Sequence, residues 1–251
     1  MRYIVSVLII CIVILSYIIL FPRDFVTIDD IWVINLDKDT ERWLHVETQA
    51  KEHNIKIQRW PATYGKTEQV DKAYKDGVSG IILFQSDKKT HEKQNIGNNN
   101  LGAVGCWLSH KRLLQHLSKL PVSGSHGHLI LEDDINLEGI NRWEIIAKEI
   151  PSDYDMVFLS MNHPICKEER KIHNHVYKAI TTYDANGNWG TQAYLVRHRS
   201  LAKILSKLKF MSHPIDEQYN FNFDSLNVYI IQPTLLQLSS LSKISSIDIA
   251  K

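Results

Sequence analysis

His128-Leu129-Ile130-Leu131-Glu132-Asp133-Asp134-Ile135-Asn136-Leu137 is the stretch on which the fold turns. Residues 128–131 read as a short buried strand, and three carboxylates follow without a break. Carboxylates at the end of a desolvated strand repel one another, so this placement calls for a cation or a hydrogen-bonding partner. Open α/β sheets hold their ligand crevice outside the carboxyl ends of the strands, where these three residues fall. Alternation sends Glu132 and Asp134 to one side and Asp133 to the other, so the first two can converge on a hard divalent ion. A solvated turn or helix cap is the competing reading of the same residues.

Upstream, Ile31 to Leu36 is another buried-strand run. Asp39 or Thr40 offers an N-cap for a helix through about His53, and Ile55 to Trp60 alternates as a strand, which makes a βαβ opening. Gly102 and Gly105 precede a helix in which Trp107, Leu113, Leu114, Leu117 and Leu120 recur at helical spacing until Pro121 stops it. Downstream, Met156–Leu159 and Gly190–Val196 read as strands, and Ser200–Phe210 as a helix with Leu201, Ile204, Leu205 and Leu208 on one face. Lys66 to Asn100 is dominated by Lys, Asp, Gln and Asn around Ile81–Phe84 and reads as an irregular insertion. There is no internal repeat, so one α/β sandwich with a largely parallel sheet is the economical architecture.

The 251 residues, 44% of them hydrophobic, suffice for one full-sized domain over residues 30–251. Lys plus Arg number 29 against 28 Asp plus Glu, so no global field favours nucleic acid, and phosphate binding must be local. Tyr3 to Phe21 carries no charged side chain and ends at Pro22-Arg23-Asp24. About 20 such residues in a helix cross roughly 30 Å of hydrocarbon, and no small-residue cleavage pattern accompanies the run. Residues 1–22 are therefore expected to be a retained transmembrane signal anchor, residues 23–29 a short stem, and the protein single-pass and type II. Of the three cysteines, Cys106 and Cys166 lie beyond the anchor, too few for a disulfide-built scaffold.

Six ordered stretches carry a resemblance: IWVINLDKDTERW from Ile31, GAVGCWLSHKRLL from Gly102, HLILEDDINL from His128, GTQAYLVRHRSLAKIL from Gly190, PIDEQYNF from Pro214 and QPTLLQLSSLSKISSID from Gln232. Together they resemble glycosyltransferase family 25, which includes lipopolysaccharide galactosyltransferases and collagen hydroxylysine galactosyltransferases. The resemblance implies a GT-A-like, Rossmann-type nucleotide-sugar-binding fold. It also implies a UDP-sugar donor, Mn2+ or Mg2+, and transfer of a hexose (galactose or glucose) with inversion to a glycan or protein hydroxylysine acceptor. The compartment would be an endomembrane lumen in a eukaryote or virus, or the inner membrane in a bacterium. A catalytically silent, membrane-anchored glycan-binding or accessory module of the same fold is the alternative.

By position, Glu132, Asp133 and Asp134 match the family's acidic metal motif, and Asn35 and Arg42 its donor-side opening motif. An inverting transfer needs a base for the acceptor hydroxyl, and Asp216 is the candidate beside Glu217, with helix capping as the other role for Asp216. Ser109 and His110 are expected at the start of the Gly105 helix, where free amides favour phosphate. A capping serine and a packed histidine are the duller readings of that pair. Gly190 permits close backbone approach to a ligand, and Thr191 can bond to it. His163, His173, His175 and His198 could each supply an imidazole ligand, and spacing singles out none. The chain departs from the family at Ala103, where relatives commonly have an acidic residue, and over 66–100, where no family signature is recognisable.

Overall fold

Ile31 and Val33 face one side of β1 (Asp30–Asn35), and Trp32 and Ile34 the other, and the two pairs enter two different cores. The same division holds along β3 (Gly127–Glu132) and β5 (Met156–Asn162), with Leu129, Leu131, Val157 and Leu159 on one side and Ile130, Met156 and Phe158 on the other. A sheet covered on both faces needs near-continuous apolar strands, which is why these segments read as runs rather than as alternation. The computed structural model describes residues 26–65, 68, 70–79, 101–183 and 187–243.

Seven strands form the central sheet in the order β2-β1-β3-β7-β5-β8-β6. Here β2 is Gln58–Pro61, β6 Val176–Lys178, β7 Trp189–Arg197 and β8 Val228–Ile231. Pairings β1 with β2, β1 with β3, and β5 with β8 are parallel, while β7 runs against both β3 and β5, and β6 against β8. Five strands thus share one direction and two oppose it, so the sheet is mostly parallel. One face carries α3 (Leu101–Leu117), α5 (Leu201–Lys207) and α6 (Ile215–Asn220), and the other α1 (Thr40–Glu52) and α4 (Trp143–Ile146). A small ladder of β4 (Ile135–Asn136) with β9 (Gln237–Leu238) lays the C-terminal segment beside the acidic turn.

The βαβ opening is β1-α1-β2, with β2 confined to the end of the expected run. Trp107, Leu113, Leu114 and Leu117 are fully buried, and Leu120 packs on them at the edge. Four expectations change. Gly102 and Gly105 lie inside α3 rather than before it. Strands β6 and β8 had not been recognised. The described part of the 66–100 insertion holds a helix, α2 (Val70–Lys75), whose Ala73 is fully buried together with the following Val78. Arg112 of α3 fastens that segment by donating to Glu68 and Asp76. The domain also begins before residue 30, since Val26 is buried and Asp29 N–H donates to Gly127 O at 2.9 Å. The expected anchor over 1–22 and the runs Ile81–Phe84 and Asn98–Asn100 lie outside the described residues. Among the described residues, no helix is long and apolar enough to cross a membrane.

Candidate active site

The antiparallel course of β7 decides what surrounds Glu132. Leu131 pairs with Ala193, so the entry end of β7 lies beside the exit end of β3. Thr191, itself buried, donates its hydroxyl to Glu132 Oε1 at 2.6 Å. From α3, His110 Nε2 lies 3.5 Å from the same oxygen, and its Nδ1 is 2.8 Å from the Tyr194 hydroxyl. Burial pushes the Glu132 carboxyl up, but the bond and charge of His110, with Thr191 and Arg42, outweigh this and hold it below its ordinary value. Cys106 Sγ, the His110 ring and a Glu132 oxygen lie within 4.8 Å of one another. Burial raises the Cys106 thiol strongly, and the charges of Glu132, Asp216 and Asp134 raise it further, so sulfur stays protonated.

Asp133 turns the other way. Its Oδ1 accepts from Arg42 at 2.7 Å and its Oδ2 from Asn35 Nδ2 at 2.7 Å. Asn35 in turn accepts from Arg59 Nε at 2.7 Å. With both oxygens bonded, Asp133 fixes the turn to β1 and α1. The second Arg42 nitrogen donates to Leu241 O at 3.1 Å and lies 3.6 Å from Asp134 Oδ2, while Ser239 N–H donates to the Asp134 carbonyl at 2.7 Å. The C-terminal segment is thereby folded onto the acidic turn.

Asp134 differs from its neighbours. Its Oδ1 is buried and has no hydrogen-bond partner among the described residues. Burial and the Glu132 charge push its carboxyl up to about 7, against the pull of Arg42. An unbonded buried oxygen beside a second carboxylate is the environment a hard cation relieves, since such ions take oxygen ligands and supply the missing positive charge. The residues present therefore fit a divalent ion held by Glu132 and Asp134.

The three acidic residues line one open cavity together with Arg42, Ser109, His110, Cys106, Tyr64, Gly102 and Ser242. The loop from Ala62 to Gly65 forms another wall, held by Thr63 N–H donating to Ser109 Oγ at 2.8 Å. A Cβ on Gly105 would stand 2.6 Å from Thr63 O and 2.7 Å from Gly65 N, so glycine there lets the loop cross the helix backbone to backbone.

Several expected contacts have other partners. Ser109 and His110 sit mid-helix, not at a helix start; Ser109 donates to Gly105 O at 2.6 Å, so neither residue belongs to a free-amide phosphate site. Asn35 bonds Asp133 and lies off the cavity lining, as do Gly190, Thr191, Asp216 and Glu217. Gly190 has φ +89°, and the groups nearest its missing side chain are those of Gln192. Its N–H donates to Asp216 Oδ2 at 2.9 Å, and Asp216 Oδ1 accepts from Glu217 N–H at 3.0 Å. Asp216 thus ties the first turn of α6 to the start of β7, close enough for its charge to reach Cys106. Burial and Asp216 raise the Glu217 carboxyl. Cys106, Tyr194 and Tyr64 had not been singled out, although Cys106 stands in the Gly102 motif, one turn before His110.

The family described as glycosyltransferase family 25 (LPS biosynthesis protein) matches residues 28–219. A "Glycosyltransferase 25 family member" of Drosophila pseudoobscura pseudoobscura is 26% identical over 204 residues, covering 79% of this chain and 30% of the relative. One from Anopheles gambiae is 23% identical over 210 residues, covering 81% and 33%. The chain spans about a third of the length of the curated relatives it matches. The family match runs from β1 to all but the last residue of α6, including the acidic turn and both strands that flank it, and the chain belongs to glycosyltransferase family 25.

Proposed function

We propose that this protein is a metal-dependent, inverting glycosyltransferase with a GT-A-like fold. It would transfer a hexose, galactose or glucose, from a UDP-sugar to a glycan or hydroxylysine acceptor, and be anchored in a membrane through residues 1–22 in type II orientation. The observation that carries this reading is Asp134 Oδ1, buried and, among the described residues, unbonded beside Glu132 in the open cavity. A bound Mn2+ or Mg2+ would neutralise the diphosphate leaving group there.

The chain's own residues have separable tasks. Thr191 and His110 fix the direction of Glu132, so the carboxylate does not reorient when substrate arrives. Arg42 and Asn35 hold Asp133 and with it the turn that presents Asp134. Asp216, off the cavity lining but with its charge within reach of Cys106 on that lining, would accept the proton of an acceptor hydroxyl that extends past Cys106. Each of its oxygens takes one backbone N–H, which orients the carboxylate and leaves a second lone pair on each. Ser242 and the Leu241 carbonyl bring the C-terminal segment to the cavity, where they help exclude water.

The test is to incubate the full chain in detergent with a panel of UDP-sugars and Mn2+, measuring UDP release with and without glycan and hydroxylysine acceptors. Turnover of a UDP-hexose that EDTA abolishes is expected. Absence of turnover with every donor, in a protein that still binds glycan, would leave the silent binding module as the reading.

A further inference from the structure

The opposite end of the same strands carries a second polar cluster. Asp30 opens β1, His126 and His128 flank Gly127 at the start of β3, and His198 follows β7. Asp30 Oδ2 lies 2.9 Å from His126 Nε2 and 3.1 Å from His128 Nδ1, which is also 2.9 Å from Asp30 Oδ1. Strand β1 separates this cluster from Asn35 by five residues, or roughly 16 Å at about 3.3 Å per residue, so it is no part of the acidic cavity.

We propose that Asp30, His126 and His128 form a binding site for a divalent transition metal, Zn2+ by the chemistry of its ligands. Zn2+ takes imidazole nitrogen and carboxylate oxygen at about 2.0–2.2 Å, and three such atoms on a tetrahedral ion stand about 3.3 Å apart. The two oxygen–nitrogen separations need to open by only a few tenths of an ångström, and all three ligand atoms lie within 4.8 Å of one another. His126 and His128, two apart at the strand entry, direct their rings to one side, as the period of a strand requires. Metal-bound imidazoles and carboxylates are normally oriented by hydrogen bonds on their far sides, and both are present. Trp32 Nε1–H donates to the other oxygen of Asp30 at 3.0 Å, and the far nitrogen of His128, Nε2, lies 3.1 Å from His198 Nδ1. His128 is fully buried, whereas the side chains of His126 and Asp30 are 19% and 17% exposed, which leaves an entry path and room for a water as fourth ligand. As the ion enters, each ring would bind it as neutral imidazole through the nitrogen now facing the carboxylate and carry its proton on the other ring nitrogen. Bound, it clips β1 to β3 at the end of the sheet remote from the cavity.

The experiment strips the full chain with EDTA, adds ZnCl2, removes excess by gel filtration and measures retained metal, with Co2+ substituted in parallel for its visible spectrum. Wild type and Asp134→Ala are expected to retain one Zn2+ and to give the intense visible bands of a four-coordinate Co2+ site. His126→Ala loses both, and His198→Ala weakens Zn2+ about 10- to 100-fold. Asp30→Asn keeps the shape and the Trp32 contact, and stands in for His126→Ala should that variant fail to fold. Wild type that retains no Zn2+, or Zn2+ retention unchanged by His126→Ala and Asp30→Asn, overturns the proposal. Loss of Zn2+ in Asp134→Ala alone would place the ion in the acidic cavity and overturn it equally.

Discussion

Replacing Asp134 by Asn isolates the strain that the acidic turn holds. In the folded chain the Asp134 carboxyl is pushed from 3.8 to about 7, first by burial and then by Glu132. Its side chain is 14% exposed, so solvent screening removes little of this. A carboxyl with a raised folded pKa binds its proton more tightly folded than unfolded. Stability therefore falls as pH rises from 3.8 towards 7 and is level above that. At ~1.36 kcal/mol per pH unit the full cost is about 4 kcal/mol at pH 8 and roughly 2 kcal/mol at pH 5. Asn carries no charge, so in metal-free protein Asp134→Asn is expected to stabilise by up to about 4 kcal/mol at pH 8 and by much less at pH 5. Urea unfolding of both proteins at the two pH values, in EDTA, measures this. Adding Mn2+ should then stabilise wild type and leave the variant unchanged, because only the form that binds the ion gains from it. A gain of equal size at pH 5 and pH 8 would refute the reasoning, since it would show that charge at Asp134 is not what the fold resists.

Thr191→Val keeps the shape of the side chain and removes the hydroxyl that directs Glu132. A hydrogen bond to a charged group is worth about 1.5–3 kcal/mol, so UDP release should fall at least about tenfold with more Mn2+ needed for half-maximal rate, and unchanged Mn2+ dependence would argue against the assignment. Gly190→Ala places a Cβ 2.2 Å from Gln192 Nε2 on a backbone at φ +89°. The Gln192 side chain can swing aside but the backbone cannot, so a loss of about 1–2 kcal/mol in thermal or urea unfolding should persist in the Gly190→Ala, Gln192→Ala double variant; full rescue would place the whole cost in the contact.

The elements built from local pattern were legible in the chain. The run Ile31–Leu36, the stripe from Trp107 to Leu117 and the strand ending at Glu132 follow from periodicity, and periodicity is set by neighbours in sequence. Glu132, Asp133 and Asp134 stood out because adjacent carboxylates on an apolar strand are electrostatically costly wherever the chain goes next. Strands β6 and β8 were missed because three- and four-residue strands carry too little pattern to separate from loop.

What each site residue does was decided by tertiary structure. Nothing local to Trp189–Arg197 states that it runs antiparallel between β3 and β5, yet that direction turns Thr191 from an expected ligand contact into the donor that aims Glu132. The early start of α3 at Leu101 likewise moved Ser109 and His110 from a helix terminus to a buried middle turn. Asn35 and Arg42 meet Asp133 across 98 and 91 residues of chain, and Leu241 meets Arg42 across 199, and such separations leave no trace in local spacing. The sequence by itself determined that three carboxylates needed compensation; only packing decided that Asp133 receives it from Arg42 and Asn35, Glu132 from Thr191 and His110, and that Asp134 Oδ1 is left without a hydrogen bond among the described residues.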